Sequence, residues 1–238
     1  MRSEFAPIAV ALPAGIPVRT SVRHPREHTS RTGLGVESIV AGAFVCATRL
    51  LTCVRARWLE CESTDAPRIY FANHASHMDF LLLWSALPAR LRRKTRPVAA
   101  SDYWHQGALR RYLAIRVFRS VFVERDNPDR SANPIAPLVE ALDQGESLIV
   151  FPEGTRGTGE DLLPFKAGIF HALCTRPDTE LVPVWIDNSY RVMPKGAVLP
   201  IPLLCTATFG PPARITRSEE KTAFLRRMRE RLLALRNA

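Results

Sequence analysis

An α/β fold with a central, mostly parallel sheet flanked by helices is predicted by two features of this sequence. From Leu34 onward, short apolar runs of the β type alternate with helical patterns, and the runs are almost continuously apolar, as in strands buried on both faces. The 238 residues, 46% hydrophobic and 24% charged, are enough for one substantial core. Residues 1–33 are rich in Pro, Arg, Ser and Thr without an apolar period. We therefore expect a mobile tail over 1–33 and a single domain over 34–238.

The first element after the tail is an apolar helix over residues 34–54. Only eleven uncharged residues separate Glu37 from Arg49, which is too few for a membrane-spanning helix. The helix either covers the core or lies in a bilayer interface, and the nearby Arg55 and Arg57 favour the interface.

The remaining elements follow in chain order from apolar runs and turn signals. Strands are predicted at 68–72, 96–100, 120–124, 147–151 and 180–186, with an edge strand at 203–210. Helices are predicted from about Ser76, at 107–118, near 134–143, from about Phe165, and at 218–236 with Ser218 as N-cap.

Charge and cysteine content narrow the function classes. A net charge of +10, from 33 Lys and Arg against 23 Asp and Glu, favours a polyanionic partner: nucleic acid, anionic lipid headgroups or phosphorylated small molecules. Five cysteines without a C-x-x-C pair argue against a disulfide framework and a thiolate zinc site, so a reducing compartment fits best. The proline-broken N-terminus is not expected to be a secretory signal.

The stretch "NHASHMD" places a histidine and a carboxylate at the carboxyl end of a predicted strand. Ser76 to Asp79 has the form of a capping sequence, which would leave His74 in the turn before the helix, where it can meet Asp79. An imidazole held by a carboxylate can act as a general base toward an alcohol. Two alternatives stay open. In the first, Asp79 only caps its helix, His74 is a satisfied loop histidine and Asn73 makes a turn. In the second, His74, His77 and Asp79 bind a metal, although their spacing does not supply the third well-placed ligand that a catalytic zinc needs.

A second polar loop follows the strand "SLIVF". Its residues Pro152 to Gly157 offer backbone N–H groups, a carboxylate, a hydroxyl and a guanidinium, which can hold a phosphate ester, although the loop is not a P-loop. Lys166 adds an ammonium near the next helix, and Arg125 adds a cation at the end of "SVFVER". The alternative is an ordinary polar turn with solvated charges.

In this order and spacing, "NHASHMD", "VFVER", "FPEGTRG" and "LVPVW" resemble the glycerolipid acyltransferase family, which includes the lysophosphatidate acyltransferases, over roughly residues 65–212. The resemblance implies transfer of a fatty acyl group from a thioester of coenzyme A or acyl-carrier protein to the free hydroxyl of a lysophospholipid. His74 would be the base and Asp79 its partner, with no metal and no further cofactor. The expected substrate-binding residues are Asn73, Arg125, Glu153, Gly154, Thr155, Arg156 and Lys166.

The expected acceptor is 1-acyl-glycerol-3-phosphate, giving phosphatidic acid in phospholipid biosynthesis. Two departures from the family pattern bear on the acceptor: Arg119 or Ser120 replaces a frequent glycine, and Trp185 begins the unusual run "WIDNSY". We expect peripheral or monotopic attachment to the cytoplasmic side of a membrane phospholipid surface and no nucleic-acid partner. The alternatives are an acyltransferase for another lysolipid, a lipid hydrolase, and a basic membrane-surface or nucleic-acid-binding protein without catalysis.

Overall fold

The structure is a computed structural model, and it describes residues 35–100, 107–123, 133–159, 161–193 and 201–238. The predicted tail over 1–33 lies outside the described residues, and so does Arg125. The tail, and with it the domain boundary, therefore stays a prediction.

Helices and strands alternate along the described chain. The helices are α1 (Val36–Thr52), α2 (Asp79–Ala86), α3 (Ala89–Arg93), α4 (Ala108–Tyr112, continued by a π-helical turn at Leu113–Val117), α5 (Ala136–Asp143), α6 (Gly168–Thr175), α7 (Ser189–Val192) and α8 (Lys221–Ala234). The strands are β1 (Arg55–Trp58), β2 (Arg68–Ala72), β3 (Thr95–Ala100), β4 (Val121–Val123), β5 (Ser147–Val150), β6 (Glu180–Asp187) and β7 (Thr206–Phe209).

The described strands form one seven-stranded sheet in the order β1-β7-β6-β2-β5-β3-β4. Strands β6, β2, β5, β3 and β4 are mutually parallel, whereas β7 pairs antiparallel with β6 and parallel with β1. Because β2 lies between β6 and β5, the loops that follow these three strands meet at one edge of the sheet. The mostly parallel sheet predicted from the sequence is confirmed.

The sheet is buried on both faces, which explains the nearly continuous apolar runs. Along β2, Tyr70 packs into a cluster with α1 and α2, while its neighbours Ile69 and Phe71 pack into a second cluster with α5, α6 and α8. Successive side chains of a strand point to opposite faces, so every position of β2 is buried.

Three predicted details were wrong. The strand at 203–210 is not at the edge, because β1 lies outside β7. Helix α2 begins at Asp79 and not after Ser76, whose hydroxyl accepts the N–H of Met78 at 3.2 Å in the turn before the helix and donates to the carbonyl of Met193 at 3.0 Å. The last helix begins at Lys221 with Glu220 as its N-cap residue, and Ser218 has a positive φ of 59° in the preceding turn.

Helix α1 covers the domain with one face and exposes the other. Val45, Thr48 and Thr52 are buried, and the Arg49 guanidinium donates to the carbonyl of Ser85 at 2.8 Å, which fastens α1 to α2. On the outer face Leu50 is 78% exposed. Within the described residues, no helix has both the length and the apolar character required to cross a bilayer.

Candidate active site

His74 and Asp79 form a hydrogen-bonded pair beyond the carboxyl end of β2. The His74 Nδ1 lies 2.8 Å from the Asp79 Oδ2; the Asp79 side chain is fully buried and that of His74 is 21% exposed. A carboxylate only accepts hydrogen bonds, so Nδ1 carries the proton and Nε2 keeps a lone pair. The pair that the sequence predicted is therefore assembled with the geometry of a general base and its orienting acid.

Asp79 also fixes the turn that carries His74. Its Oδ2 accepts the backbone N–H groups of Ala75 at 2.7 Å and Ser76 at 2.8 Å. Asp79 is the first residue of α2, where the helix dipole favours a carboxylate. Asp79 thus lies at the helix terminus and also contacts the imidazole of His74, so the two interpretations that the sequence left open do not exclude each other.

Glu153 joins the second motif to the first. Its Oε1 accepts the backbone N–H of His74 at 2.7 Å, and its Oε2 accepts that of Leu163 at 2.8 Å. The residue is 2% exposed, and burial raises the pKa of its carboxyl group, although the two backbone hydrogen bonds oppose that rise. A further hydrogen bond joins the two motifs, because the N–H of Gly157 donates to the carbonyl of His74 at 2.8 Å.

Asn73 anchors the start of the same turn to β6. Its side-chain amide donates to the carbonyl of Ile186 at 3.0 Å and accepts the N–H of Ile186 at 2.8 Å. This pair of bonds extends the pairing of β2 with β6 by one residue beyond Ala72. Both polar ends of the Asn73 side chain are therefore engaged with backbone.

The imidazole of His74 stacks on Phe151, with ring centroids 4.3 Å apart and an interplanar angle of 21°. Beyond this pair lies a largely apolar groove of about 780 Å³ that His74 helps to line. A groove of this size can hold a drug-sized or lipid-like ligand. Its apolar lining includes Phe44, Phe80, Leu81, Leu113, Phe118, Pro134, Ile135, Leu138 and Ile169.

Cationic side chains border the same groove. Arg156 and Lys166 line it together with Thr155 and His77. Burial lowers the pKa of His77, and the positive charge of Arg156 lowers it further. Gly154 has a φ of +70°, and a Cβ there would lie 3.3 Å from the Lys166 Cγ, so the backbone passes close to the lysine stem.

The structure thus brings together all the predicted site residues that it describes. It adds two contacts that the sequence did not indicate, the stacking of Phe151 on His74 and the anchoring of Asn73 by Ile186, because both depend on the order of strands in the sheet. Within the described residues, no cluster of three His, Cys, Asp or Glu side chains could hold a metal ion.

In sequence, this chain is similar to acyltransferases. The family model described as acyltransferase matches residues 54–187. A 1-acyl-sn-glycerol-3-phosphate acyltransferase of Cocos nucifera is 33% identical over 144 residues, covering 56% of this chain and 44% of that protein. Its counterpart from Haemophilus influenzae is 30% identical over 130 residues, covering 52% and 49%. The chain spans about half the length of the curated relatives it matches.

The fold is also similar to that of a solved structure. The crystal structure of the 1-acyl-sn-glycerophosphate acyltransferase of Thermotoga maritima matches with a TM-score of 0.67 and 22% identity, covering 85% of this chain and 79% of that chain. At this identity the likeness is one of fold, and it agrees with the α/β fold predicted from the sequence.

Proposed function

The chain belongs to the acyltransferase family, and from that premise we propose that it transfers a fatty acyl group from an acyl thioester to the free hydroxyl of a lysophospholipid. The observation that carries the proposal is the His74–Asp79 pair, which lies at an apolar groove bordered by cations. An acyl chain requires the apolar walls, a phosphate requires the cations, and a hydroxyl nucleophile requires the base.

His74 acts as the general base. Asp79 holds Nδ1–H, so Nε2 accepts the proton of the acceptor hydroxyl while the hydroxyl oxygen attacks the thioester carbonyl carbon. The resulting tetrahedral oxyanion collapses, the carbon–sulfur bond breaks, and the His74 imidazolium returns the proton to the departing thiolate. Because the acceptor hydroxyl itself attacks the thioester, the acyl group passes directly from sulfur to oxygen and the reaction needs no acyl-enzyme.

Arg156, Thr155 and Lys166 bind the phosphate of the acceptor in this proposal. Arginine binds phosphate through two parallel N–H donors, and lysine contributes a point charge. Arg125 was predicted for the same site, but it lies outside the described residues.

Asn73 and Glu153 were predicted to bind the substrate, but in this proposal they have a positioning role. Their polar atoms already bond the backbone of Ile186, His74 and Leu163. They position the base and the phosphate-binding loop relative to each other and leave contact with the lysophospholipid to their neighbours.

Monotopic attachment to the cytoplasmic leaflet of a membrane is part of the proposal. On the outer face of α1, Val36 is 65% and Ile39 62% exposed, and Leu109 of α4 is 71% exposed. The two elements are neighbours, because Phe44 of α1 packs edge-on against Phe118 after the π-helical turn, with centroids 5.4 Å apart. An exposed apolar surface on a chain of net charge +10 suits an anionic bilayer interface.

The proposed acceptor is 1-acyl-glycerol-3-phosphate, which is the substrate in the names of the relatives, and the proposed donor is acyl-CoA or acyl-carrier protein. The test supplies labelled long-chain acyl-CoA, and separately acyl-carrier protein, with a panel of lysophospholipids. Transfer to lysophosphatidate supports the proposal. Transfer only to another lysophospholipid would mean that the proposed acceptor is wrong. Release of free fatty acid without any acceptor product would indicate a hydrolase. No turnover with either donor would leave the alternative of a binding protein without catalysis.

A further inference from the structure

The end of β6 and the segment after it, where the sequence departs from the family pattern, contact both sides of the turn that carries His74. Ile186 bonds Asn73, the residue before the base, and the carbonyl of Met193 accepts the hydroxyl of Ser76, two residues after it. The turn that carries His74 is thus fastened on each side to one stretch of chain, Ile186–Met193.

Tyr190, in the middle of that stretch, lies against the other loop. A Cβ built on Gly159 would lie 2.8 Å from the Tyr190 Cγ, 2.9 Å from its Cβ and 3.0 Å from its Cδ1. Gly159 also has a φ of +89°, a conformation that residues with side chains rarely adopt. The tyrosine ring therefore lies directly on the backbone of the loop at a position that only glycine fits.

The loop that Tyr190 covers is the one that carries Thr155 and Arg156. At its beginning, Glu153 and the N–H of Gly157 fasten it to His74, and at its end the N–H of Leu163 donates to Glu153. Gly159 lies between the attachments at Gly157 and Leu163, so the ring of Tyr190 adds a further contact to the loop.

We propose that Tyr190 is a positioning residue for the acceptor: its ring holds the loop 154–159 so that Thr155 and Arg156 face the groove at the distance a bound phosphate requires. This inference rests on the proposed function and deepens it. The ring is the active part, because the hydroxyl group accepts a hydrogen bond from the Arg191 Nε at 2.8 Å in an exposed position.

The kinetic test compares Tyr190→Ala with the conservative variant Tyr190→Phe. Misplacing a binding loop without touching the base raises KM for the acceptor, so Tyr190→Ala is expected to raise it on the order of tenfold, with kcat and the donor KM within about twofold of wild type. Tyr190→Phe keeps the ring and should restore the acceptor KM. The proposal would be overturned if the acceptor KM of Tyr190→Ala were unchanged, or if Tyr190→Phe raised it as much as Tyr190→Ala does. A fall in the kcat of Tyr190→Ala with no change in KM would also overturn it.

Gly159→Ala approaches the same contact from the opposite side and serves if Tyr190→Ala is poorly folded. Its new methyl group collides with the ring, so it should raise the acceptor KM in the same way. In the Tyr190→Ala background the two ring contacts at 2.8 Å and 3.0 Å are gone, while the contact with the Cβ of residue 190 and the strain of the positive φ remain. Gly159→Ala should then add less than it does in the wild type. Full additivity of the two substitutions would contradict a direct contact.

Hydrogen exchange separates this inference from the proposed function. In Tyr190→Ala the amides of Gly157 and Leu163 should exchange faster than in the wild type, while the amide of Met228 in α8 should not change. If the wild type transfers no acyl group but this pattern appears, the proposed function fails and the bracing of the loop stands. If exchange at Gly157 and Leu163 is unchanged in Tyr190→Ala, the ring of Tyr190 does not hold the loop in place, even if the enzyme is active.

Discussion

The Glu153 carboxylate accepts the backbone N–H of His74 at 2.7 Å, across 79 positions of sequence. This bond joins the loop after β5 to the loop after β2, so the proposed phosphate-binding residues and the proposed base share one framework. The other oxygen of Glu153 accepts the N–H of Leu163, at the far end of the proposed phosphate-binding loop. A buried carboxylate with two backbone donors is thus the centre of the site's geometry.

Glu153→Gln should lower the free energy of unfolding by about 1–3 kcal/mol. Glutamine can accept one of the two backbone N–H groups, but its NH₂ faces the other one, which leaves a buried donor unpaired. Urea denaturation measures the change, and the exposed Glu140→Gln on α5 is the matched control, expected within about 0.5 kcal/mol of wild type. Equal stabilities of the two variants would show that the two backbone hydrogen bonds accepted by Glu153 contribute nothing to the free energy of unfolding.

The same residue predicts a pH dependence. Burial raises the pKa of the Glu153 carboxyl group in the folded protein above its unfolded value, so the folded state holds this proton more tightly. Its contribution to stability is therefore complete below the unfolded pKa and declines as pH rises through the folded one. The stability difference between wild type and Glu153→Gln should shrink as pH rises across that window, and a difference that grows would reverse the assigned sign.

Asp79→Asn should reduce kcat about 10²- to 10⁴-fold. The amide oxygen can still accept the N–H groups of Ala75 and Ser76, but the neutral side chain no longer stabilises a His74 imidazolium or fixes its tautomer. Initial rates at saturating substrates measure the effect, and circular dichroism checks the fold. A variant that keeps more than about a tenth of wild-type kcat would make Asp79 a structural cap alone.

Arg119 has a left-handed backbone conformation, with a φ of 54°. Arg119 or its neighbour Ser120 replaces a glycine that is frequent in the family pattern. Its guanidinium pairs with Glu146, which also pairs with Arg96. In Arg119→Gly, relief of about 1–2 kcal/mol of backbone strain offsets the loss of a half-exposed ion pair worth about 0–1 kcal/mol. Thermal unfolding should show a stability equal to or slightly above wild type. Destabilisation beyond about 2 kcal/mol would mean that the ion pair fixes β4.

Leu50→Glu should weaken binding to anionic vesicles about tenfold or more. Leu50 is 78% exposed on the outer face of α1, and inserting a leucine into an apolar phase is worth about 1.5–3 kcal/mol. Vesicle sedimentation at moderate salt measures the change. Ala234→Glu, at an exposed position at the end of α8, introduces the same charge elsewhere as a control. Equal binding by both variants would place the membrane contact away from α1.

Local patterns predicted most of the fold, because buried parallel strands give apolar runs and the site motifs directly follow two of them. Strand β1 was missed because "RARW" is short and mostly exposed; it forms through its pairing with β7 and the stacking of Trp58 on Phe209. The helix expected after Ser76 begins only at Asp79: the Ser76 hydroxyl does accept the N–H of Met78, but it also bonds Met193, 117 positions away, a contact with no local signal. Contacts set by strand order, such as Asn73 with Ile186, have no local signal.

His74 is the proposed base, and the rate of acyl transfer by His74→Ala beside the wild type tests that role directly. The substitution keeps the backbone N–H that Glu153 accepts and removes only the imidazole. Transfer should fall at least about 100-fold with the thermal unfolding profile retained. A near-normal rate of transfer by a folded His74→Ala would contradict the account.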